Sequence, residues 1–319
     1  MKNLLVSFSG GETSAFMAQW LLNNYKNYGY KDILFVFANT GIENEETLEF
    51  VEKCDNKLGI KTHWIEAFVR EESGKGTFYS ITDFQNATRK THWKYRDNTP
   101  FEQVVRKYGV ANMAFPHCTR ELKQVPIKKF ANEYFGINNY DTAIGIRADE
   151  YSRRSDVAKQ NRIIYPLQDF IKVTKPMINF FWKQQLFRLD LKGYQGNCVS
   201  CWKKGDNKLF KLWHENNEVF DFFEYLENKY GNPNGRVPKR SIEVVENDFG
   251  EQEIKIVTEN VPIEELKMVF FRDNRSAKEM RDLAKTWKEK DIKNDADFYN
   301  FQVDLFGQES CDIFSDCHL

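Results

Sequence analysis

No apolar run in this sequence approaches the ~20 residues that cross a bilayer as a helix, which argues against a membrane-spanning chain. The opening, MKNLLVSFSGGETSAF, lacks a secretory pattern, because its short apolar run leads directly into a glycine turn without a cleavage-like segment. The expectation is a soluble, cytoplasmic protein. Charge of one sign is lacking too. Lys plus Arg number 46 and Asp plus Glu 47, a formal net charge of -1. Nothing drives the whole chain toward DNA or RNA, and a basic cleft would have to be local. Cysteine is scarce, with six in 319 residues. That is too sparse for a disulfide scaffold and better suited to a metal or redox role. Internal repeats and low-complexity tracts are absent. The material for a core is present: 41% of residues are apolar, including 27 Phe. That suffices for one α/β domain carrying a smaller second unit.

The apolar pattern predicts strands at 4–8, 33–38 and 62–66, separated by helices over 13–22 and 44–56. Strand, helix, strand, helix, strand opens a doubly wound, mainly parallel α/β sheet. The stretch 68–98 is polar, aromatic and irregular, and reads as an insertion over the sheet edge. Helices are expected at 101–110, 119–134 and 208–229, and a strand at 141–146. The Gly-, Pro- and Asn-rich segment 230–244 marks a boundary. Residues 1–230 then form the main α/β domain with the cysteine pair. Residues 231–319 form a smaller α+β tail with one strand (IKIV), a charged helix at 274–290 and a cysteine-bearing end.

Ser9-Gly10-Gly11-Glu12-Thr13-Ser14 sits between the first strand and the first helix. Adjacent glycines let the backbone turn tightly and approach a ligand. Ser14 and the first helical amides can then donate to a phosphate or sulfate oxygen. The pattern is neither the dinucleotide fingerprint nor the Gly-Lys-Ser/Thr triphosphate loop. Beyond strand ends, where open sheets bind ligands, lie Asn39, Thr40 and Gly41, with Asn39 a candidate reader of adenine. Arg147, Arg153 and Arg154 offer planar donors for phosphate or sulfonate, oriented by Asp149 and Glu150. The alternative is a plain ion-pair cluster. Cys198 and Cys201 have the C-x₂-C spacing that serves a metal or a redox dithiol.

Taken in order, these segments resemble the adenine-nucleotide alpha-hydrolase (PP-loop) superfamily, and within it the phosphoadenosine phosphosulfate reductase-like family. The matching segments are Ser9–Ser14, Ala38–Thr47, Cys118–Lys123, Gly145–Glu150 with Arg153 and Arg154, and Gly196–Cys201. The resemblance implies a nucleotide held by Ser9, Gly10, Gly11, Thr13, Ser14, Asn39, Thr40, Gly41, Gly145, Arg147, Arg153 and Arg154. One departure is Glu12, where many relatives carry a basic residue. An acid beside a phosphate repels it unless it binds a cation or points away, and Mg²⁺ is the cation considered.

Relatives that reduce adenylyl sulfate hold a [4Fe–4S] cluster between two adjacent cysteines and a later C-x₂-C. Here His117-Cys118 replaces the adjacent pair. The resemblance therefore implies a cluster on Cys118, Cys198 and Cys201, with Cys311, Cys317 or His117 as fourth ligand and Cys311 preferred. Zinc is the alternative. The reductases also use a cysteine near the C-terminus as nucleophile, loosely echoed by Asp316-Cys317-His318-Leu319. Cys317, Arg147 and Lys123 are then the catalytic set, acting on adenylyl sulfate or phosphoadenylyl sulfate with a thioredoxin-like thiol donor. Two other readings stand beside this one. The first is an ATP pyrophosphatase that adenylates a nucleic-acid or small-molecule acceptor for sulfur or nitrogen insertion, with Glu12 and Glu43 on Mg²⁺. The second is a nucleotide-binding module without turnover.

Overall fold

The structure is a computed structural model describing residues 2–72, 74–94, 98–112, 115–231, 239–246, 252–259 and 268–288. Strand β1 (Lys2–Ser7) lies inside a six-stranded sheet. Helix α1 (Glu12–Asn24), β2 (Tyr30–Asn39), α2 (Glu45–Leu58) and β3 (Thr62–Val69) follow it. Then come β4 (Thr77–Thr82), α3 (Pro100–Tyr108), a short α4 (His117–Thr119) and α5 (Val125–Phe135). Next are β5 (Tyr140–Ala143), β6 (Ile163–Ile164), α6 (Pro166–Asp169), α7 (Lys175–Lys183), α8 (Asp206–Glu215) and α9 (Asp221–Tyr230). The last elements are β7 (Lys239–Glu246), β8 (Gln252–Glu259) and α10 (Ala277–Thr286).

The strand order is β4-β3-β2-β1-β5-β6. Every neighbouring pair is parallel except β3 with β4. The period-2 alternation of side chains explains the double winding. Leu4, Val6, Phe8, Phe35 and Phe37 face one side and pack with Ala15, Met17, Leu48, Val51 and Trp182 from α1, α2 and α7. Leu5, Leu34, Val36 and Ala38 face the other side and pack with Ile127, Phe130 and Ala131 of α5. Strands buried on both faces read as continuous apolar runs, which is why β1 and β2 stand out in the sequence. Each such Leu or Phe, fully buried, contributes about 1.5–3 kcal/mol.

Several expectations are corrected. Stretch 68–98 is not all irregular: β3 continues to Val69, and β4 pairs with it antiparallel from Trp64↔Thr82 to Val69↔Thr77. The β-branched and aromatic content of TFYSIT favours an edge strand. The helix expected at 119–134 contains a π-helical turn, Arg120–Gln124, between α4 and α5. Pro126 has no N–H to give the carbonyl of Leu122, so the regular ladder cannot pass through this point. The helix expected at 208–229 is two helices. Asn216 takes an extended conformation after α8, and its Oδ1 accepts from the N–H of Glu218 at 3.1 Å, closing an Asx turn. Among the described residues beyond 230 there are two strands, where one was expected: β7 and β8, paired antiparallel. Phe270, Phe271, Ala277, Met280 and Ala284 pack into the same apolar cluster as Phe101, Trp202 and Phe223.

Candidate functional site

The β1–α1 loop is shaped by its own hydroxyls. Ser14 Oγ accepts from the N–H of Ser9 at 3.3 Å, lies 2.9 Å from Ser9 Oγ and donates to the Gly11 carbonyl at 3.0 Å. Gly10 has φ +80, where a side chain is strained, and a Cβ there would lie 2.7 Å from Thr47 Cγ2. Only glycine fits. Gly11 is the N-cap of α1 and offers no side-chain cap, so the first amides of the helix are presented to a ligand, with the helix dipole behind them. Gly145, at the end of β5, brings its backbone against the loop, since a Cβ there would meet Ser14 Cα at 3.1 Å. Arg147 is buried. It reaches Thr13 Oγ1 at 3.4 Å and pairs with Asp149 at 3.2 Å and Glu150 at 3.4 Å.

The other two arginines divide. Arg153 bonds Glu150 at 2.6 Å, sharing that carboxylate with Arg147. Arg154 pairs with Asp169 at 2.6 Å and Gln168 at 3.0 Å and lies over the Tyr165 ring. Arg147 thus touches the loop through Thr13. Glu12 is paired as well. Its two carboxylate oxygens accept from Arg188 Nε at 3.0 Å and Nη2 at 3.1 Å.

At the end of β2, Asn39 is fully buried. Its amide nitrogen donates to Glu66 Oε1 at 2.6 Å and the Thr88 carbonyl at 2.8 Å, and its Oδ1 accepts from the Gly41 N–H at 3.2 Å. No amide hydrogen remains for a base. Asn39 thus holds the loop in shape, and toward a base it has the second lone pair of Oδ1 rather than a hydrogen. Gly41 has φ +82 and lies against Thr88, where a Cβ would approach to 3.0 Å.

Glu43 is buried, and its Oε2 accepts from the N–H of Thr40 at 2.9 Å and from Thr40 Oγ1 at 2.7 Å. Its Oε1 lies 4.0 Å from Lys123 Nζ and 3.8 Å from Cys198 Sγ. Lys123 belongs to the π turn, a helical irregularity frequent at functional sites.

Cys118, Cys198 and Cys201 line one pocket enclosing about 360 Å³, solvent at its mouth included, together with Thr40 and Lys123. Its apolar wall comes from Phe101, Trp202 and Phe223. The three cysteines thus share the lining of one pocket. Their soft sulfur donors and apolar surroundings fit a thiolate-bound cluster in ligand type. Among the described residues, no group of three His, Cys, Asp or Glu side chains is gathered tightly enough to hold one metal ion. Cys311 and Cys317 fall outside the described residues. His117 is not in the pocket lining. Burial lowers its pKa, and its ring stacks on Phe115. Cys54 is fully buried in α2, and burial pushes its thiol well above the ordinary range.

Residues that sequence reasoning missed join the loop to the pocket. Asn197 Nδ2 donates to the Ser9 carbonyl at 2.6 Å, and the Asn197 carbonyl accepts from the Asn44 N–H at 2.7 Å. Asn44 Nδ2 donates to the Gly196 carbonyl at 2.7 Å, and Glu43 forms an antiparallel bridge with Cys198. Lys204 donates to the carbonyls of Cys198 at 3.1 Å and Val199 at 3.0 Å. The Asn-Cys order in Gly196–Cys201 was the available signal, but the partners of Asn197 are set by tertiary contact.

Comparison with known proteins agrees with this geometry. A family model described as the phosphoadenosine phosphosulfate reductase domain matches residues 3–185. The chain is 36% identical over 206 residues to "Uncharacterized nin region protein ORF290" of Escherichia phage lambda, covering 64% of this chain and 67% of the relative. It is 29% identical over 168 residues to "Uncharacterized protein MJ0066" of Methanocaldococcus jannaschii, covering 51% of this chain and 27% of that one. Among the described residues no helix is long and apolar enough to cross a membrane. With its glycine loop between β1 and α1, its parallel sheet and this match, the chain belongs to the phosphoadenosine phosphosulfate reductase domain family of the adenine-nucleotide alpha-hydrolase (PP-loop) superfamily.

Proposed function

We propose that this protein is a sulfonucleotide reductase-like enzyme. It binds adenylyl sulfate or phosphoadenylyl sulfate with its phosphate over Ser9–Ser14 and its sulfate toward the cysteine pocket. The observation that carries this reading is the Asn197–Ser9 hydrogen bond of 2.6 Å. It ties the segment bearing Cys198 to the phosphate loop, so an anion on the loop has the thiol-lined pocket beside it. Arg147, on Thr13, supplies positive charge to the sulfonucleotide, and Lys123 supplies it at the pocket.

In the proposed chemistry the Cys317 thiolate attacks the sulfonyl sulfur. The S–S bond forms as the bond from sulfur to the phosphate oxygen breaks, and the adenosine phosphate leaves with that electron pair. The enzyme then carries a thiosulfonate. A thiol of a thioredoxin-like donor attacks the Cys317 sulfur, releasing sulfite and leaving a mixed disulfide that a second donor thiol resolves. Two electrons pass from the donor dithiol to the substrate sulfur. Cys118, Cys198 and Cys201, with Cys311, would hold a [4Fe–4S] cluster. When bound, it supplies redox capacity and a fixed local charge.

The ATP-pyrophosphatase alternative drew on Glu12 and Glu43 as Mg²⁺ ligands. Glu12 is engaged by Arg188, and Glu43 by Thr40 with Lys123 nearby, which leaves that reading with less support. The test is anaerobic incubation with radiolabelled adenylyl sulfate, phosphoadenylyl sulfate, or ATP plus Mg²⁺, with a dithiol donor in the first two. Sulfite and an adenosine phosphate from either sulfonucleotide support the proposal. Pyrophosphate and AMP from ATP, without sulfite from either sulfonucleotide, overturn it in favour of adenylation.

A further inference from the structure

Glu12 is the first residue of α1 and directly follows the glycines of the phosphate loop. A carboxylate suits a bare helix N-terminus, yet it repels an anionic ligand at the same amides. The structure answers this conflict with Arg188, 176 residues further along the chain, whose Nε and Nη2 grip both oxygens of Glu12 at 3.0 and 3.1 Å. The pair is asymmetric in exposure: the Glu12 side chain is 12% exposed and the Arg188 side chain 47%. A guanidinium has more N–H donors than one carboxylate accepts in this fork, so N–H groups remain beyond those that hold Glu12.

The arrangement is anchored on both sides. Trp182, almost fully buried, donates its Nε1 proton to the Glu12 carbonyl at 3.0 Å. Phe187 and Leu189, which flank Arg188, pack on the core beneath α1 and α2, with the Phe187 ring 5.7 Å from that of Trp182 and 5.9 Å from that of Phe50. The backbone of Arg188 is therefore fixed beside the loop, and the bidentate grip of Glu12 fixes its fork. Little further entropy is lost when that fork meets a second anion.

We propose that Arg188 is the cation the phosphate loop lacks in its own sequence. Glu12 is its positioning residue, and the open side of the guanidinium contacts a phosphate or sulfate oxygen of the bound nucleotide. Arg188 lies outside residues 3–185, which the family model matches. The inference rests on the reading that Ser9–Ser14 hold the nucleotide's anionic end.

The test uses the full chain and titration calorimetry with AMP and with inorganic pyrophosphate, at two salt concentrations. The proteins compared are wild type, Arg188→Ala, Arg188→Ala with Glu12→Gln, and Arg188→Ala with Glu12→Lys. Thermal melts report folding. Arg188→Ala is expected to weaken binding by about tenfold or more, as expected when a charge-assisted hydrogen bond is lost. Removing the acid as well, with Glu12→Gln, restores only part of this. Moving the cation into the loop, with Glu12→Lys, restores most of it and returns the salt dependence. If Arg188→Ala binds like wild type, the proposal is overturned. Full restoration by Glu12→Gln also overturns it, because Arg188 would then only neutralise Glu12. If Arg188→Ala melts early, the two double variants, neither of which leaves Glu12 unpaired, decide by comparison: Glu12→Lys binding more tightly than Glu12→Gln supports the proposal, and equal binding overturns it. A folded wild-type protein that binds neither anion overturns this inference and the proposed function together. Wild-type binding with an unaffected Arg188→Ala overturns this inference alone.

Discussion

Asn197 Nδ2 donates to the carbonyl of Ser9 at 2.6 Å, joining residues 188 positions apart in sequence. This bond makes the glycine loop and the cysteine-bearing turn one unit. Asn197→Leu leaves the Ser9 carbonyl without this partner, at a cost of about 1–3 kcal/mol. The expected outcome is a lower melting temperature and weaker nucleotide binding together. Differential scanning calorimetry and equilibrium titration check both.

Gly10→Ala places a side chain at φ +80 and drives its Cβ to 2.7 Å from Thr47 Cγ2. The left-handed backbone costs about 1–2 kcal/mol, and forcing α2 away adds about 1–3 kcal/mol of overpacking. Nucleotide binding should be lost, and the denaturant midpoint should fall by a corresponding amount. Gly29→Ala is the control. It has φ +81 but open space around the added carbon, so it should show the backbone cost while keeping nucleotide binding.

Glu102 connects the pocket wall to the helices behind it. Its Oε1 accepts from Tyr225 at 2.9 Å, Lys229 at 2.9 Å and Tyr230 at 2.8 Å, next to Phe101 of the pocket. Burial pushes its carboxyl pKa up, but hydrogen bonds from Lys229, the Asn98 N–H, Tyr230 and Tyr225 outweigh this and hold it below the ordinary value. A pKa lowered on folding adds stability that is present above the unfolded carboxylate value of about 4.3 and is lost as pH falls through the folded one. Glu102→Gln should therefore cost about 1–3 kcal/mol at pH 7. The gap from wild type should narrow at acid pH, as read by urea unfolding at each pH.

The cysteines should separate by role. Protein purified without oxygen should carry iron and acid-labile sulfide. Cys198→Ala or Cys201→Ala should lose both, while Cys54→Ala should keep them because Cys54 lies in the packed face of α2. Chelating the metal should leave nucleotide affinity largely intact, because the loop is held by serine, glycine and asparagine contacts. Elemental analysis with the visible absorption spectrum reads the first outcome, and titration after chelation reads the second.

The parts of this fold that were legible in the sequence were those with local causes. Leu4–Phe8 and Ile33–Ala38 are apolar runs, and Gly10-Gly11 marks a tight turn between the first strand and a helix, which motif order then set in a family pattern. Strand β4 was missed because an edge strand is half-exposed and its pattern blends into polar surroundings. The break between α8 and α9 was missed because apolar spacing continues through it, and one Asn216 side chain makes the turn. In the site, motif order pointed to Cys118, Cys198 and Cys201, which share the lining of one pocket. It did not point to the tasks of Asn39, Asn197 and Arg188. Asn39 spends its amide on Glu66 and Thr88, and Arg188 finds Glu12 only after α7 packs on α1. Such contacts are properties of the folded chain.

The most direct test of the proposed chemistry is to withhold the thiol donor. The anaerobic protein is mixed with phosphoadenylyl sulfate or adenylyl sulfate, quenched, and analysed by mass spectrometry of its cysteine peptides. The expected result is one sulfonate group added to Cys317, with an equal amount of adenosine phosphate released, and loss of the adduct as sulfite when a dithiol is added. No adduct on any cysteine, from protein that binds both nucleotides, would contradict a reductase mechanism.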